Sequence, residues 1–259
     1  MEAEMVETVE KPDVIPQVVA ENALIVAVSV GAVFAAEEGE VYGAGVAFPL
    51  LQAVQTVNER LLQVDPSESE RFEVILISTN RVQQQQKERL QSSASAHGLH
   101  KHRFSFACED DFTDSLRQSK VHLFLTTDST EATRAANEGV LSALLNPLSA
   151  SGPSEQLRVL FCADAILDPS PGQKTGTHEA VQAFGSRLGK MRQRFGVGDS
   201  PLSLVLLTSH GGVNRCCSAL KMLRSDGVDV DEAYCLGGTP RGLIMPLLRP
   251  HFLLAAAEE

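Results

Sequence analysis

A thiol and a carboxylate lie two residues apart within an apolar segment, residues 157–167. The segment reads Leu-Arg-Val-Leu-Phe-Cys-Ala-Asp-Ala-Ile-Leu, so Cys162 and Asp164 follow its most hydrophobic part. A carboxylate at the end of a buried strand suits general acid or base chemistry, and a cysteine becomes a nucleophile when cationic neighbours lower its pKa. Because no lysine or arginine stands beside Cys162, the sequence favours a small apolar residue at a strand end over a nucleophile.

Apolar segments alternate with helical patterns along the chain. Most of the apolar segments are near-continuous hydrophobic runs, as buried parallel strands require. The predicted strands are residues 24–30, 72–79, 121–127, 157–167, 202–209, 232–238 and 251–256, and the predicted helices are residues 48–64, 82–98, 130–145, 179–195 and 214–225. The alternation predicts an α/β fold with a doubly wound, mainly parallel sheet and helices on both faces.

The candidate residues are expected at one edge of this sheet. Ligands of parallel sheets bind beyond the carboxyl ends of the strands. Cys162, Asp164, Thr208 and the loop of residues 237–239 all follow predicted strands, so we expect them to gather there.

Other residues allow alternative chemistry. Cys235 stands six positions before Arg241, the spacing with which cysteine phosphatases place a thiolate and an arginine on one phosphate, but so short a pattern is a weak motif. His97, His100 and His102 cluster without a neighbouring cysteine or carboxylate, which favours a solvated turn over a metal site. His178 and His210 are further candidates to face the pocket, the latter because it follows a predicted strand end.

Composition excludes several classes of function. The 259 residues are 43% hydrophobic and carry a formal net charge of −11, which disfavours binding to nucleic acid or to anionic membranes. No run of 18 apolar residues occurs, and five cysteines without a CxxC pair indicate reduced thiols. No internal repeat is visible by inspection. We expect a cytoplasmic protein with a flexible acidic tail at residues 1–21 and a single domain at residues 22–259.

Several short segments resemble the cytosolic type I 5'-nucleotidase family in the same order along the chain, from about residue 21 to residue 251. They are residues 44–49 (AGVAFP), 136–139 (ANEG), 157–166, 218–225 (SALKMLRS), 231–233 (DEA) and 249–251 (RPH). Each segment alone is a weak signal, and their common order makes the resemblance specific. It implies a haloacid dehalogenase-like core and, in an intact member, magnesium-dependent hydrolysis of nucleoside 5'-monophosphates.

The resemblance assigns roles to four positions. The family has Asp-Gly-Asp where this chain has Cys-Ala-Asp, so Asp164 keeps the proton-donor position and Cys162 replaces the nucleophile. Thr208 matches the hydroxyl residue that binds the transferring phosphoryl group. Arg241, in Thr-Pro-Arg-Gly, stands where the family has a phosphate-neutralising lysine.

The resemblance also implies missing magnesium ligands and a reduced cap. Ala255 and Ala256 stand where the family has a pair of aspartates, so we expect no cofactor. The connections at residues 34–45 and 168–177 are shorter than those of the family, which implies a smaller cap.

The expected function follows from these losses. We expect a catalytically impaired or inactive family member that binds a nucleotide, another phosphate-bearing small molecule or a protein partner. The alternative is an active 5'-nucleotidase that requires Mg²⁺.

Overall fold

The structure, a computed structural model, describes residues 22–35, 41–79, 82–99, 102–106, 112–146, 156–167 and 175–254. The predicted tail of residues 1–21 lies outside the described residues. The strands are β1 (Leu24–Ser29), β2 (Phe34–Ala35), β3 (Gly43–Ala44), β4 (Phe72–Ser78), β5 (Arg103–Phe106), β6 (Leu123–Thr126), β7 (Ser142–Leu144), β8 (Leu157–Cys162), β9 (Leu202–Thr208), β10 (Glu232–Cys235) and β11 (Phe252–Leu254). The helices are α1 (Val30–Val33), α2 (Phe48–Val64), α3 (Gln84–Ala96), α4 (Phe112–Gln118), α5 (Ser129–Asn137), α6 (Ala163–Leu167), α7 (Thr175–Gln193), α8 (Gly212–Ser225) and α9 (Met245–Leu248).

The described strands form two parallel sheets and one short antiparallel pair. The first sheet has the order β5-β4-β1-β6-β7, and the second has the order β10-β9-β8-β11. Every neighbouring pair within these two sheets is parallel, whereas β2 pairs with β3 in antiparallel fashion. The predicted α/β class with mainly parallel strands is confirmed, and the strands are divided between two sheets.

Burial explains why these segments form strands and helices. All residues of β1 and β9 are buried, which a strand covered on both faces requires. Helix α2 begins with a proline in its first turn and buries Leu50, Val54, Val57 and Leu61, which recur at the three- and four-residue spacing of one helix face. Within the described residues, no helix is long and apolar enough to span a membrane.

Several predicted boundaries are wrong, and two of the errors are large. The strand predicted at residues 157–167 ends at Cys162, and Ala163–Leu167 form helix α6, so Asp164 lies in the first turn of a helix. The helix predicted at residues 130–145 ends at Asn137, because Gly139 adopts a φ of +81° and turns the chain towards β7. The sequence pattern also fails to predict β2, β3 and β5, since two to four residues are too few to show a period.

The two large sheets repeat one arrangement of strands. Strands β1, β4, β5 and β6 correspond to β8, β9, β10 and β11, with the same neighbours and the same register. The corresponding pairs are Leu24–Phe72 and Leu157–Leu202, Val26–Leu123 and Val159–Phe252, and Ile75–Arg103 and Val205–Glu232. One β/α unit therefore occurs twice, at residues 24–126 and 157–254, although the sequence shows no repeat by inspection.

A histidine forms the same backbone bridge in both units. Nδ1 of His122 accepts a hydrogen bond from the Ile25 N–H at 3.0 Å, and the His122 N–H donates to the Ile25 carbonyl at 2.9 Å. His251 makes the same two contacts with Arg158, at 3.1 and 2.9 Å. Each histidine directly precedes a flanking strand, so the imidazole fixes the start of that strand against the central one.

The two units share one hydrophobic core. Helix α2 of the first unit contacts β8 of the second. The units also meet where Leu145, which follows β7, forms an antiparallel bridge with Phe252 of β11. Beside this bridge the Asn146 N–H donates to the His251 carbonyl at 3.1 Å. Because the bridge is antiparallel, the carboxyl ends of the two sheets point in opposite directions.

Helix α7 packs closely on the turn after α8 at Gly189. A Cβ at this position would overlap the Gly227 carbonyl and lie 3.1 Å from the Val228 Cα. We expect Gly189→Ala to lower the free energy of unfolding by about 1–3 kcal/mol, because overpacking against backbone outweighs the better helix propensity of alanine. Urea unfolding followed by circular dichroism measures this loss.

Gly196→Ala is the control for this substitution. A Cβ at Gly196 would meet no atom within 4 Å, so we expect a change below about 0.5 kcal/mol. Equal losses in the two variants would contradict the packing argument.

Candidate functional site

The residues singled out in the sequence gather at the carboxyl ends of β8 and β9. Cys162 is the last residue of β8, Asp164 lies in the first turn of α6, and Thr208 is the last residue of β9. Arg241 lies in a 3₁₀ turn, Arg241–Leu243, and its guanidinium reaches Ser209 and Asp164. The fold thus brings these side chains to the edge at which parallel sheets bind ligands.

The thiol of Cys162 is buried, with 1% of the residue exposed. Burial raises the pKa of this thiol to about 11, and the Asp164 carboxylate raises it further, while the charge of Arg241 opposes both effects in part. The fold therefore supplies a cation that the linear sequence does not place near Cys162, but burial outweighs it. At neutral pH the group is a protonated thiol, which is a poor nucleophile.

Asp164 is held by two guanidinium groups. Its Oδ1 accepts hydrogen bonds from Arg215 Nη2 at 2.7 Å and Arg215 Nε at 3.2 Å. Its Oδ2 is buried, accepts no hydrogen bond from the part of the chain that the structure describes, and lies 3.8 Å from Arg241 Nη2. The three side chains are 18–26% exposed, so water screens these ion pairs only in part.

Arg215 is the site residue that the sequence pattern does not reveal. It lies in the first turn of α8, where the positive end of the helix dipole disfavours a cation. Gly211, with a φ of +79°, makes room for it, because a Cβ there would lie 2.7 Å from the Arg215 Cδ. The available signal is a glycine pair three residues after a strand end, followed by an arginine in the first turn of the next helix.

Two hydroxyl residues lie at the end of β9, Thr208 as its last residue and Ser209 directly after it. Ser209 Oγ accepts a hydrogen bond from Arg241 Nε at 2.8 Å, and the Ser209 carbonyl accepts one from the Gly238 N–H at 2.8 Å. Thr208 Oγ1, by contrast, is buried and has no hydrogen-bond partner among the described residues. A buried hydroxyl without a partner is costly, which makes Thr208 a candidate to bind a polar group of a ligand.

Comparison with known proteins gives the family. A family profile described as 5'-nucleotidase matches residues 33–186, more than half of the chain. The chain belongs to the 5'-nucleotidase family. It is also similar to human cytosolic 5'-nucleotidase 1B, with 28% identity over 233 residues, a match that covers 80% of this chain and 38% of the relative. The chain therefore spans well under half the length of that relative.

The candidate site of this 5'-nucleotidase family member lies partly inside and partly outside the residues that the family profile matches. Cys162 and Asp164 lie within residues 33–186, whereas Thr208, Arg215 and Arg241 lie beyond them. The arginines around Asp164 therefore come from the part of the chain that the profile does not cover.

The donor set at this edge does not fit the magnesium ion that the family resemblance implies. Mg²⁺ prefers near-octahedral oxygen ligands, usually with one or two carboxylates. No group of three histidine, cysteine, aspartate or glutamate side chains in the described residues could hold a metal ion. Both oxygens of Asp164 face guanidinium groups. Ala255 and Ala256 lie outside the described residues, and their side chains carry no ligand atom.

The spacing of Cys235 and Arg241 does not correspond to a phosphate-binding cysteine loop. The Cys235 side chain is exposed, and its interaction with the neighbouring Cys216 thiol raises the pKa of Cys235 to about 11. Arg241 directs its guanidinium to Ser209 and Asp164 instead. The geometry therefore does not support thiolate chemistry at Cys235.

The histidines do not form a metal site in the described residues. His97 lies in a turn after α3, as predicted, but it is half-buried and packs on the rings of Phe34 and Phe48, so its predicted solvation is wrong. Nε2 of His178 lies 2.8 Å from a backbone carbonyl oxygen. His210 is exposed, and His100 lies outside the described residues.

Proposed function

We propose that this 5'-nucleotidase family protein binds a nucleotide or another phosphate-bearing small molecule without efficient hydrolysis, and that it acts by binding rather than by turnover. The site would lie at the carboxyl ends of β8 and β9. Its name places the relative in the cytosol, and we propose the same location for this chain.

The pairing of Asp164 with two arginines carries this proposal. In a phosphatase the proton donor must present its carboxyl group to the leaving oxygen of the substrate. Here Arg215 Nη2 is 2.7 Å from one oxygen of Asp164, and Arg241 Nη2 is 3.8 Å from the other. The buried Cys162, whose pKa is raised to about 11, offers no thiolate to attack phosphorus. The site therefore lacks both groups that the expected hydrolysis needs, a free proton donor and a nucleophile.

The remaining groups support anion binding. Arg241 and Arg215 supply two positive charges beside one carboxylate, and guanidinium groups bind phosphate through paired N–H donors. Thr208 adds a buried hydroxyl without a partner in the described residues. The family of the chain favours a nucleoside monophosphate as the ligand. The role would be regulatory if a protein partner bound the ligand-bound form of the chain.

The second candidate function is an active, magnesium-dependent 5'-nucleotidase. Its support is that Asp164, Thr208 and Arg241 occupy positions that the resemblance assigns to catalysis, and that the fold brings them to one edge. This candidate requires a nucleophile and metal ligands other than those discussed above.

Phosphate release and ligand binding distinguish the two candidates. We expect the full chain with Mg²⁺ and a panel of nucleoside 5'-monophosphates to release phosphate at the rate of the buffer blank, while isothermal titration calorimetry detects binding of AMP. Thr208→Val keeps the shape of the side chain but removes the hydroxyl, so we expect about a tenfold weaker affinity. Arg224→Ala, on the outer face of α8, should bind AMP like the parent chain.

The active alternative predicts the opposite pattern. Metal-dependent phosphate release that EDTA and Asp164→Asn both abolish would establish hydrolysis and overturn the proposal. The double variant Cys162→Asp, Ala163→Gly restores the aspartate of the family pattern. It shows whether the missing nucleophile alone limits turnover.

A further inference from the structure

We propose that Arg215 takes the place of a divalent cation at this edge, so that the site binds a phosphate dianion without any metal. The inference deepens the proposed function and rests on it. The family resemblance implies a magnesium ion at this edge, whereas the groups that surround Asp164 are guanidinium groups.

The geometry around Asp164 supports this replacement. A magnesium ion would need a carboxylate oxygen at about 2.0–2.1 Å. Arg215 instead approaches Oδ1 with two donors, Nη2 at 2.7 Å and Nε at 3.2 Å. Arg241 faces Oδ2 at 3.8 Å. With both guanidinium groups in place, a metal ion at Asp164 would stand beside two other cations, so it could reach the carboxylate only after one of them had left.

The charges at the edge favour an anion. Asp164, Arg215 and Arg241 together carry a local charge of about +1, in a chain whose formal net charge is −11. The three side chains are mostly buried, so a phosphate that reaches them is attracted more strongly than it would be by charges in open water. Two arginines therefore supply the attraction that a metal ion supplies in a metal-dependent phosphatase, while Asp164 holds Arg215 in place.

Local structure holds Arg215 in this position. It comes from α8, and a side chain at Gly211 would collide with it, since a Cβ there would lie 2.9 Å from the Arg215 Cβ. Thr208, whose hydroxyl lacks a partner in the described chain, directly precedes the loop that leads to Gly211. The orphaned hydroxyl and the arginine are thus carried by one strand–loop–helix segment.

The test compares binding with and without metal. We expect the parent chain to bind inorganic phosphate and AMP with affinities that differ by less than about twofold between EDTA and about 5 mM Mg²⁺ as the chosen test concentration, measured by calorimetry. Arg215→Ala should lose at least about tenfold in affinity in EDTA, because the Asp164 carboxylate then repels the anion. It should regain part of that loss in Mg²⁺, because Asp164 becomes available to a metal. Arg215→Lys should lie between the two.

Arg224→Ala is the matched control. Arg224 lies on the same helix, 79% exposed and paired with Asp229, so its removal should leave both affinities unchanged in either buffer. Thermal melting of each variant identifies any that fails to fold, and the comparison of the parent chain in the two buffers needs no variant.

Three outcomes would count against the inference. Binding by the parent chain only in Mg²⁺ would overturn metal-free binding and leave the proposed function intact. Arg215→Ala binding phosphate as tightly as the parent chain in EDTA would remove the role of Arg215. If neither probe bound in either buffer, both the proposed function and this inference would be overturned.

Discussion

Asp231→Ala is expected to lower the free energy of unfolding by about 3–5 kcal/mol, because it leaves a buried cation without its partner. Arg192, 8% exposed, donates to Asp231 Oδ1 from Nε at 2.9 Å and from Nη2 at 2.5 Å. Asp231 Oδ2 also accepts a hydrogen bond from the Leu204 N–H at 2.8 Å, which joins the start of β10 to β9. Urea unfolding monitored by circular dichroism measures the loss.

Asp229→Ala is the control two positions away. Asp229 pairs with Arg224, and the two side chains are 63% and 79% exposed, so water and salt screen this pair. We expect a change below about 0.5 kcal/mol. Asp231→Asn, which keeps an acceptor for the Leu204 N–H but no charge, should fall between the two. If Asp231→Ala cost no more than Asp229→Ala, the buried ion pair would not stabilise the fold.

Buried parallel strands are the part of this fold that the sequence predicts well. Strands β8 and β9 are covered on both faces, so nearly every residue in them is apolar and the run itself marks the strand. The predicted bounds of α2 agree with those of the structure, since its buried face repeats at helical spacing over 17 residues. Strand β7 has three residues and lies within a segment of helical composition, so it shows no strand period of its own, and Gly139 is the local signal that separates it from α5.

The repeated β/α unit is invisible in the sequence because backbone hydrogen bonds define it. Ser29 in the first unit corresponds by register to Cys162 in the second, and Ser78 corresponds to Thr208. These two pairs share burial and strand direction but not residue type, although other corresponding positions, such as Leu24 and Leu157, carry the same residue. The register needs only strands of suitable length and buried side chains, so different sequences satisfy it equally.

The candidate site was predictable only in part, for a related reason. Cys162 and Asp164 are neighbours in the chain, and the fold places Thr208 beside them because parallel strands end at one edge. The contact between Arg215 and Asp164 joins residues 51 positions apart, on two helices whose packing angle no local pattern fixes. Whether that carboxylate faces a metal ion or a guanidinium is therefore decided by tertiary packing.

Stability is expected to fall by about 3 kcal/mol between pH 6.5 and pH 4 through His251 alone. His251 is 1% exposed, and burial lowers its pKa from 6.5 to about 4, with the nearby charge of Arg158 adding to this effect. Between these values the unfolded chain binds a proton that the folded chain does not. The contribution is therefore complete above pH 6.5 and disappears as the pH falls to about 4.

Substitution of His251 by asparagine tests whether this histidine causes the loss of stability at acid pH. The amide oxygen of the new side chain could still accept the Arg158 N–H bond that Nδ1 of His251 accepts at 3.1 Å, but an amide does not titrate. We expect the free energy of unfolding of His251→Asn, measured in urea from about pH 7 to about pH 4, to lose most of this pH dependence. His210→Asn, at an exposed position, should keep it.

The equivalent residue of the first unit provides an independent check. Burial and the charge of Arg187 lower the pKa of His122 as well. We therefore expect the double variant His122→Asn, His251→Asn to lose less stability at acid pH than His251→Asn alone. If His251→Asn lost as much stability at acid pH as the parent chain, other groups would cause the acid sensitivity. His251 would then be a structural residue at the start of β11 whose titration does not affect stability.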